Sequence, residues 1–241
     1  MKLNEIYYGD AYELIKQIDD KRIDLIITDP PYEFAINQCN NSKLFRDRKI
    51  NSYEDIKKTN INKGIDYSIL NEFVRVLKKI NCYIWCNKEQ IFNYLQFFTK
   101  EHNCNFEIIV WGKNNPPPLL SGHFLKDKEY CLYFWETGVK TNFTYDIGKT
   151  VYYTPLNQLD KKQYLHPTIK PINIIENLIK ISSVEGNVIL DPFVGSGTTC
   201  VAAKRLGRKY IGFEINEKYY KIAKDRLQGY NQKGEMNLFD I

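Results

Sequence analysis

Short apolar runs alternate with amphipathic stretches along most of the chain, and the alternation predicts an α/β domain. The clearest run is residues 23–28 (IDLIIT), which ends abruptly at Asp29-Pro30-Pro31-Tyr32. Six further runs read as strands: 2–8, 82–86, 106–111, 129–135, 186–193 and 209–213. Apolar residues at helical spacing mark 11–18, 67–79, 89–100, 172–182, 200–206 and 217–227 as helices. Two stretches break the pattern. Residues 33–67 and 137–165 are polar and offer no confident element, and the tail from Gly229 reads as loose.

The run before Asp29 has apolar residues on both of its faces, as expected for a buried strand of a parallel sheet. Proline has no N–H to give the ladder, so the strand must end there. A carboxylate, two stiff peptide units and an aromatic ring then sit at the carboxyl end of a central strand, where ligands bind in open α/β sheets. These groups suit an aromatic amine such as N6 of adenine, a poor nucleophile because its lone pair is delocalised. Asp29 and a carbonyl of the Asp-Pro-Pro segment can accept the two amine hydrogens while Tyr32 stacks on the base. A proline-terminated strand with an ordinary capping aspartate explains the same four residues.

The second stretch with chemistry is LDPFVGSGTT, residues 190–199. It reads as strand, glycine turn and helix N-terminus, where Gly195 and Gly197 let backbone N–H groups approach a ligand. The dinucleotide fingerprint is incomplete, because Cys200 stands where the third glycine belongs. Asp191 at the strand end suits an ammonium-bearing ligand better than a pyrophosphate. Glu214 ends the next strand, 23 residues on, well placed for a ribose diol. S-adenosylmethionine has both features.

Composition adds little to this picture. The 241 residues fit one domain with ample core, and the net charge of +5 permits a polyanionic partner without requiring one. No run reaches the roughly 18 apolar residues of a membrane span, and Met1 leads into no signal-type segment, so the expected location is the cytoplasm. The six cysteines form no CxxC pair, which favours buried thiols and no metal site.

Taken together, DPPY at 29–32 and DPFVGSGTT at 191–199 resemble the β group of DNA amino-methyltransferases, whose catalytic half precedes the cofactor half. Gly9-Asp10, VRVLKK at 74–79, WGKNNPPP at 111–118, KEYCLYF at 128–134 and HPTIKP at 166–171 fall in the family's order. The resemblance implies a circularly permuted, Rossmann-like methyltransferase fold with a mostly parallel seven-stranded sheet and one antiparallel strand. It implies one domain over 1–241: a catalytic half (1–136, with the loop 33–67), a short recognition segment (137–165) and a cofactor half (166–241).

The site residues follow from the same resemblance. Asp29, Pro30, Pro31 and Tyr32 would hold the target base, with Asp29 also near the cofactor. Asp191, Pro192 and the turn Phe193, Gly195, Ser196, Gly197, Thr198 and Thr199 would hold the methionine part of S-adenosylmethionine. Glu214, with Ile215 beside it, would take the ribose, and Asp10 with Ala11 would lie by the adenine. Thr168 and Lys170 would serve the cofactor's carboxylate. His166 is a ligand contact or a structural histidine, and Asp10 alone is equally well a helix cap.

The implied activity is transfer of a methyl group to N6 of adenine in double-stranded DNA. The alternatives are N4 of cytosine, an RNA or protein side-chain amide substrate, or a catalytically silent DNA binder on the same fold, with Asp rather than Ser at position 29 favouring adenine over cytosine. Candidate DNA contacts are Arg46, Arg48, Lys49, Lys113, Asn114, Asn115, Lys161 and Lys162. The loop 33–67 is either a lid over the substrate or a solvated face. A homodimer and a cognate restriction endonuclease are the candidate protein partners.

Overall fold

The computed structural model describes residues 1–32, 64–116, 124–156, 163–164 and 169–230. Within them the strands are β1 (Glu5–Tyr8), β2 (Leu25–Thr28), β3 (Asn81–Cys86), β4 (Asn105–Lys113), β5 (Lys128–Trp135), β6 (Val151–Thr154), β7 (Val188–Asp191) and β8 (Lys209–Glu214). They form one sheet in the order β1-β8-β7-β2-β3-β5-β4-β6. β5 runs against both of its neighbours, β3 and β4, while every other pairing is parallel. One antiparallel strand is the expected number, but the sheet has eight described strands, not seven.

The additional strand is β6, inside the stretch 137–165 that shows no pattern. It lies at the edge, pairs only with β4 and has Val151 and Tyr153 exposed, so it lacks a continuous apolar signature. Pairing opposite Trp111 and a bond from the Trp111 indole to Thr154 Oγ1 (2.7 Å) hold it there.

The helices are α1 (Ala11–Leu14), α2 (Ile69–Val76), α3 (Ile91–Leu95), α4 (Ile172–Ser182), α5 (Thr198–Arg205) and α6 (Glu217–Leu227). β2 is buried on both sides because its side chains alternate between two cores. Ile26 faces the core that contains Phe73 of α2 and Phe98, whereas Leu25 and Ile27 face the one that contains Ile175 of α4 and Val201 of α5. No helix among the described residues is long and apolar enough to cross a membrane.

Two helices depart from their sequence patterns for visible reasons. α2 stops at Val76 because Leu77 turns extended and bridges to Ile23, with Ile23 N donating to Val76 O at 2.9 Å. The apolar periodicity through Leu77 therefore serves the sheet, not the helix. α3 starts only at Ile91, where Asn87 and Gln90 exchange side-chain-to-backbone bonds at 3.2 and 3.3 Å, and it continues as a π-helical turn, Gln96–Glu101.

The sheet order reverses between β7 and β2. From β7 the chain moves outward to β8, whereas β2 is followed on its other side by β3. A crevice at the carboxyl ends of these two central strands is the preferred ligand site of such a sheet. Both sequence motifs end there.

Candidate active site

β2 delivers Thr28, Asp29 and the prolines to the crevice, and β7 delivers Asp191. Thr28 Oγ1 donates to Asp191 Oδ1 at 2.9 Å, so the residue that holds Asp191 is the immediate neighbour of Asp29. The two motifs form one site.

Asp29 is already engaged on both oxygens. The Tyr32 hydroxyl donates to Oδ1 at 2.8 Å, and the Lys170 ammonium, from the segment leading into α4, donates to Oδ2. Burial raises the Asp29 carboxyl above its usual range, because the pull of Lys170 only partly offsets desolvation and the push of Glu129. Burial also lifts the Tyr32 hydroxyl well above its ordinary value, so it remains a protonated donor.

Lys170 is the hub. Its side chain is 6% exposed, and besides Asp29 it reaches Glu129 Oε2 at 3.1 Å and the Tyr32 hydroxyl at 3.2 Å. An ammonium has three N–H donors, and these three acceptors can take all of them. The Trp85 ring lies beneath it, 5.1 Å from the nitrogen to the ring centroid. Burial works against its charge, but Asp29 and Glu129 outweigh burial and raise its pKa. The expected contact of Lys170 with a cofactor carboxylate is thus not what the structure presents: its donors are committed to Asp29, Glu129 and Tyr32.

Sequence reasoning misses Glu129 and Gln90. Glu129 opens an expected strand, where a charged residue ordinarily reads as a solvated strand end. Gln90 Nε2 donates to Pro31 O at 3.2 Å, which ties the Asp-Pro-Pro segment to the loop after β3. Neither residue lies near the motifs in sequence, and only the adjacency of β2, β3 and β5 brings them in.

The cofactor-type cradle is built from β7, β8 and the turn between β7 and α5. Gly195 (φ +53°) and Gly197 (φ +87°) take left-handed backbone conformations that other residues rarely adopt. A Cβ on Gly197 would also stand 3.1 Å from Ala223 Cβ. Asp191 accepts from Thr28 and from Phe193 N (3.1 Å), and it bonds Thr199. Burial raises it to about 6, against the pull of these donors. Glu214 accepts from Gly195 N on one oxygen and Asn216 N on the other, both at 2.8 Å, and burial raises it to about 7.

Among the described residues no lysine or arginine pairs with either carboxylate. Two buried acids held only by neutral donors are a poor arrangement for the protein alone. They fit a ligand that brings a cation to Asp191 and hydroxyl donors to Glu214. Ile215 N is a third backbone donor to Glu214, and the carboxylate keeps acceptor capacity beyond these three for that purpose.

Asp10 caps α1 by accepting from Tyr12 N at 2.9 Å, and Gly9 N bonds Glu214 O at 3.0 Å, which sets Asp10 beside the β8 end. Ala11 is buried in the core, whereas Ile215 is 59% exposed on the cradle's rim. Pro192 and Ser196 line the turn, with Ser196 and Thr198 hydroxyls 3.5 Å apart.

The candidate DNA contacts divide. Lys113 turns inward to Glu129 Oε1 at 2.7 Å and over the Trp111 ring, so it is part of the network and not a free surface charge. Asn115 Oδ1 accepts from Leu156 N at 2.6 Å, which ties its loop to the end of β6, and Asn114 N bonds Thr154 O. Arg46, Arg48, Lys49, Lys161, Lys162, His166, Thr168 and the loop 33–67 up to residue 63 lie outside the described residues. The five described cysteines are all buried thiols.

Known proteins carry the same architecture. The family described as DNA methylase (N6/N4 methyltransferases) matches over residues 23–225. The Type II methyltransferase M2.LlaDCHI of Lactococcus lactis subsp. cremoris is 33% identical, over 92% of this chain and 88% of that protein. The Type II methyltransferase M2.DpnII of Streptococcus pneumoniae is 31% identical, over 94% and 90%. Among solved structures, the M1.HpyAVI–SAM complex aligns with a TM-score of 0.65 at 26% identity, covering 92% of this chain and 99% of that one.

Proposed function

The chain belongs to the N6/N4 DNA methylase family, and from that premise we propose that it methylates N6 of adenine at one short site in double-stranded DNA. It is a site-specific DNA methyltransferase that uses S-adenosylmethionine. Adenine is favoured over N4 of cytosine by Asp at position 29. The observation that carries the reading is the Thr28–Asp191 bond, which sets an amine acceptor and a cation-binding carboxylate side by side at the switch point.

S-adenosylmethionine supplies a methyl group on a positively charged sulfur. Asp191 and the turn 193–199 would hold its methionine part, Glu214 with Ile215 beside it would take its ribose hydroxyls, and Asp10 would lie by its adenine. The target adenine must leave the duplex, since its N6 is paired and unreachable inside. On arrival it displaces the Tyr32 hydroxyl from Asp29 Oδ1. Asp29 Oδ1 and a carbonyl of the Asp-Pro-Pro segment then accept the two N6 hydrogens, and the freed Tyr32 ring stacks on the base. Lys170 stays on Oδ2 throughout, which fixes the carboxylate's orientation. The gain is orientation and charge placement before reaction.

A cognate restriction endonuclease belongs to this reading, on the support of relatives named as Type II methyltransferases. A homodimer does as well, and sedimentation of the purified protein tests it.

Asp29→Ala is the direct test. Turnover should fall by at least about a hundredfold, the scale of losing one positioned proton acceptor. S-adenosylhomocysteine binding, measured by calorimetry, should change little. Equal loss of both would make Asp29 a cofactor or folding residue and overturn the assignment.

A further inference from the structure

Four charged groups from four different elements line up beside the amine site. Lys113 from the end of β4 contacts Glu129 Oε1 at 2.7 Å, Glu129 from β5 contacts Lys170 at 3.1 Å, and Lys170 contacts Asp29. The charges alternate and sum to zero. The Lys113 and Glu129 side chains are 13% and 23% exposed, so the contacts are poorly screened. Such a row is costly to bury and weak evidence for stability. Its geometry serves something else.

We propose that Glu129 is a positioning residue for methyl transfer, acting through Lys170 on Asp29. The proposal rests on the reading of Asp29 as acceptor of the target amine. Without Glu129, a buried ammonium with one carboxylate for a neighbour collapses onto it. Both Asp29 oxygens then serve Lys170, and the carboxylate becomes a weaker acceptor for N6. Glu129 takes one N–H of Lys170 and half of its field, so that Lys170 grips Asp29 through Oδ2 alone. Oδ1 is left for an exchangeable partner, the Tyr32 hydroxyl before the base arrives and the amine afterwards. Lys170 and Lys113 keep Glu129 ionised: burial pushes the carboxyl up, but the two ammonium groups together hold it at about 2.

The titratable neighbours of Asp29 among the described residues are Tyr32, Cys86 of β3, Glu129 and Cys131 of β5, Lys170, and Asp191 of β7. Removing the Glu129 charge lowers the Asp29 pKa by two routes, since Glu129 itself pushes Asp29 up and Lys170 is then free to pull it down.

The test is single-turnover methylation of DNA at saturating S-adenosylmethionine across the acid pH range by the full chain and by Glu129→Gln, Glu129→Asp and Asp29→Ala. Glu129→Gln should slow the step, on the order of tenfold to a hundredfold as expected for a misplaced acceptor. Its acid limb should move to lower pH, with S-adenosylhomocysteine affinity unchanged. Glu129→Asp, which keeps the charge, should restore much of the rate and return the limb to its place. An unchanged rate in Glu129→Gln overturns the proposal. So does a slower rate with an unmoved limb, which marks a merely structural residue. Full activity in Asp29→Ala overturns the underlying reading of the site instead, and the two failures are thereby distinct.

Discussion

Asp191 and Glu214 each carry a cost in the ligand-free protein. Both are buried, both lack a described cationic partner, and both sit well above their usual values, at about 6 and about 7. The folded state therefore holds protons that the unfolded chain releases, and stability falls as pH rises from about 4 through about 7. The shift at Asp191 amounts to about 3 kcal/mol. Asp191→Asn keeps the neutral hydrogen bonds and removes the buried charge. It should raise the melting temperature at pH 8 by about 6–12 °C, at about 2–4 °C per kcal/mol for a chain of this size. The same variant should bind S-adenosylhomocysteine at least about tenfold more weakly, the loss expected for a charged hydrogen bond. Wild-type affinity should itself fall as the pH drops through 7 and 6. A pH-independent dissociation constant, measured by calorimetry, would contradict this account of the cradle.

At the scale of elements, the turn after β7 depends on how closely α5 and β8 pack. Gly212 in β8 faces Val194 and Cys200, and a Cβ there would meet Val194 Cγ2 at 2.5 Å and Cys200 Sγ at 3.0 Å. Gly212→Ala should cost about 1–3 kcal/mol in overpacking, read from denaturant unfolding. Because Val194 precedes Gly195, the displacement should also weaken cofactor binding. Lost stability with intact binding would show that the turn shifts independently of β8. Local pattern reveals these elements well where apolar periodicity is dense, as in residues 172–182 and 217–227, whose helices match their expected bounds. It fails where tertiary pairing decides. Leu77 completes a helical stripe yet bridges to Ile23, and β6 exists because Trp111 and Val110 offer an edge, not because VYYT stands out.

At the scale of the whole molecule, the sequence makes the chemistry easier to read than the assembly. Asp29 to Tyr32 and Asp191 to Thr199 are contiguous and lie at strand ends, so their residue types and turns announce them. Their union into one site is a property of the sheet, since β2 and β7 are about 160 residues apart and meet only through the order of strands. Lys170 shows the limit most clearly. Its position after a histidine-proline-threonine segment suggests a cofactor contact, whereas burial beside Trp85, Glu129 and Asp29 gives its three donors to the amine site. Glu129 carries no sequence signal at all for that role.

The central claim is that this site methylates N6 of adenine through Asp29. It is tested most directly by expressing the chain, and separately its Asp29→Ala variant, in a methylation-free bacterial host and sequencing the native DNA for modified bases. The account predicts N6-methyladenine confined to one short motif with the wild-type chain and none with the variant. N4-methylcytosine, or unmodified DNA from cells holding soluble wild-type protein that still binds S-adenosylmethionine, would contradict it.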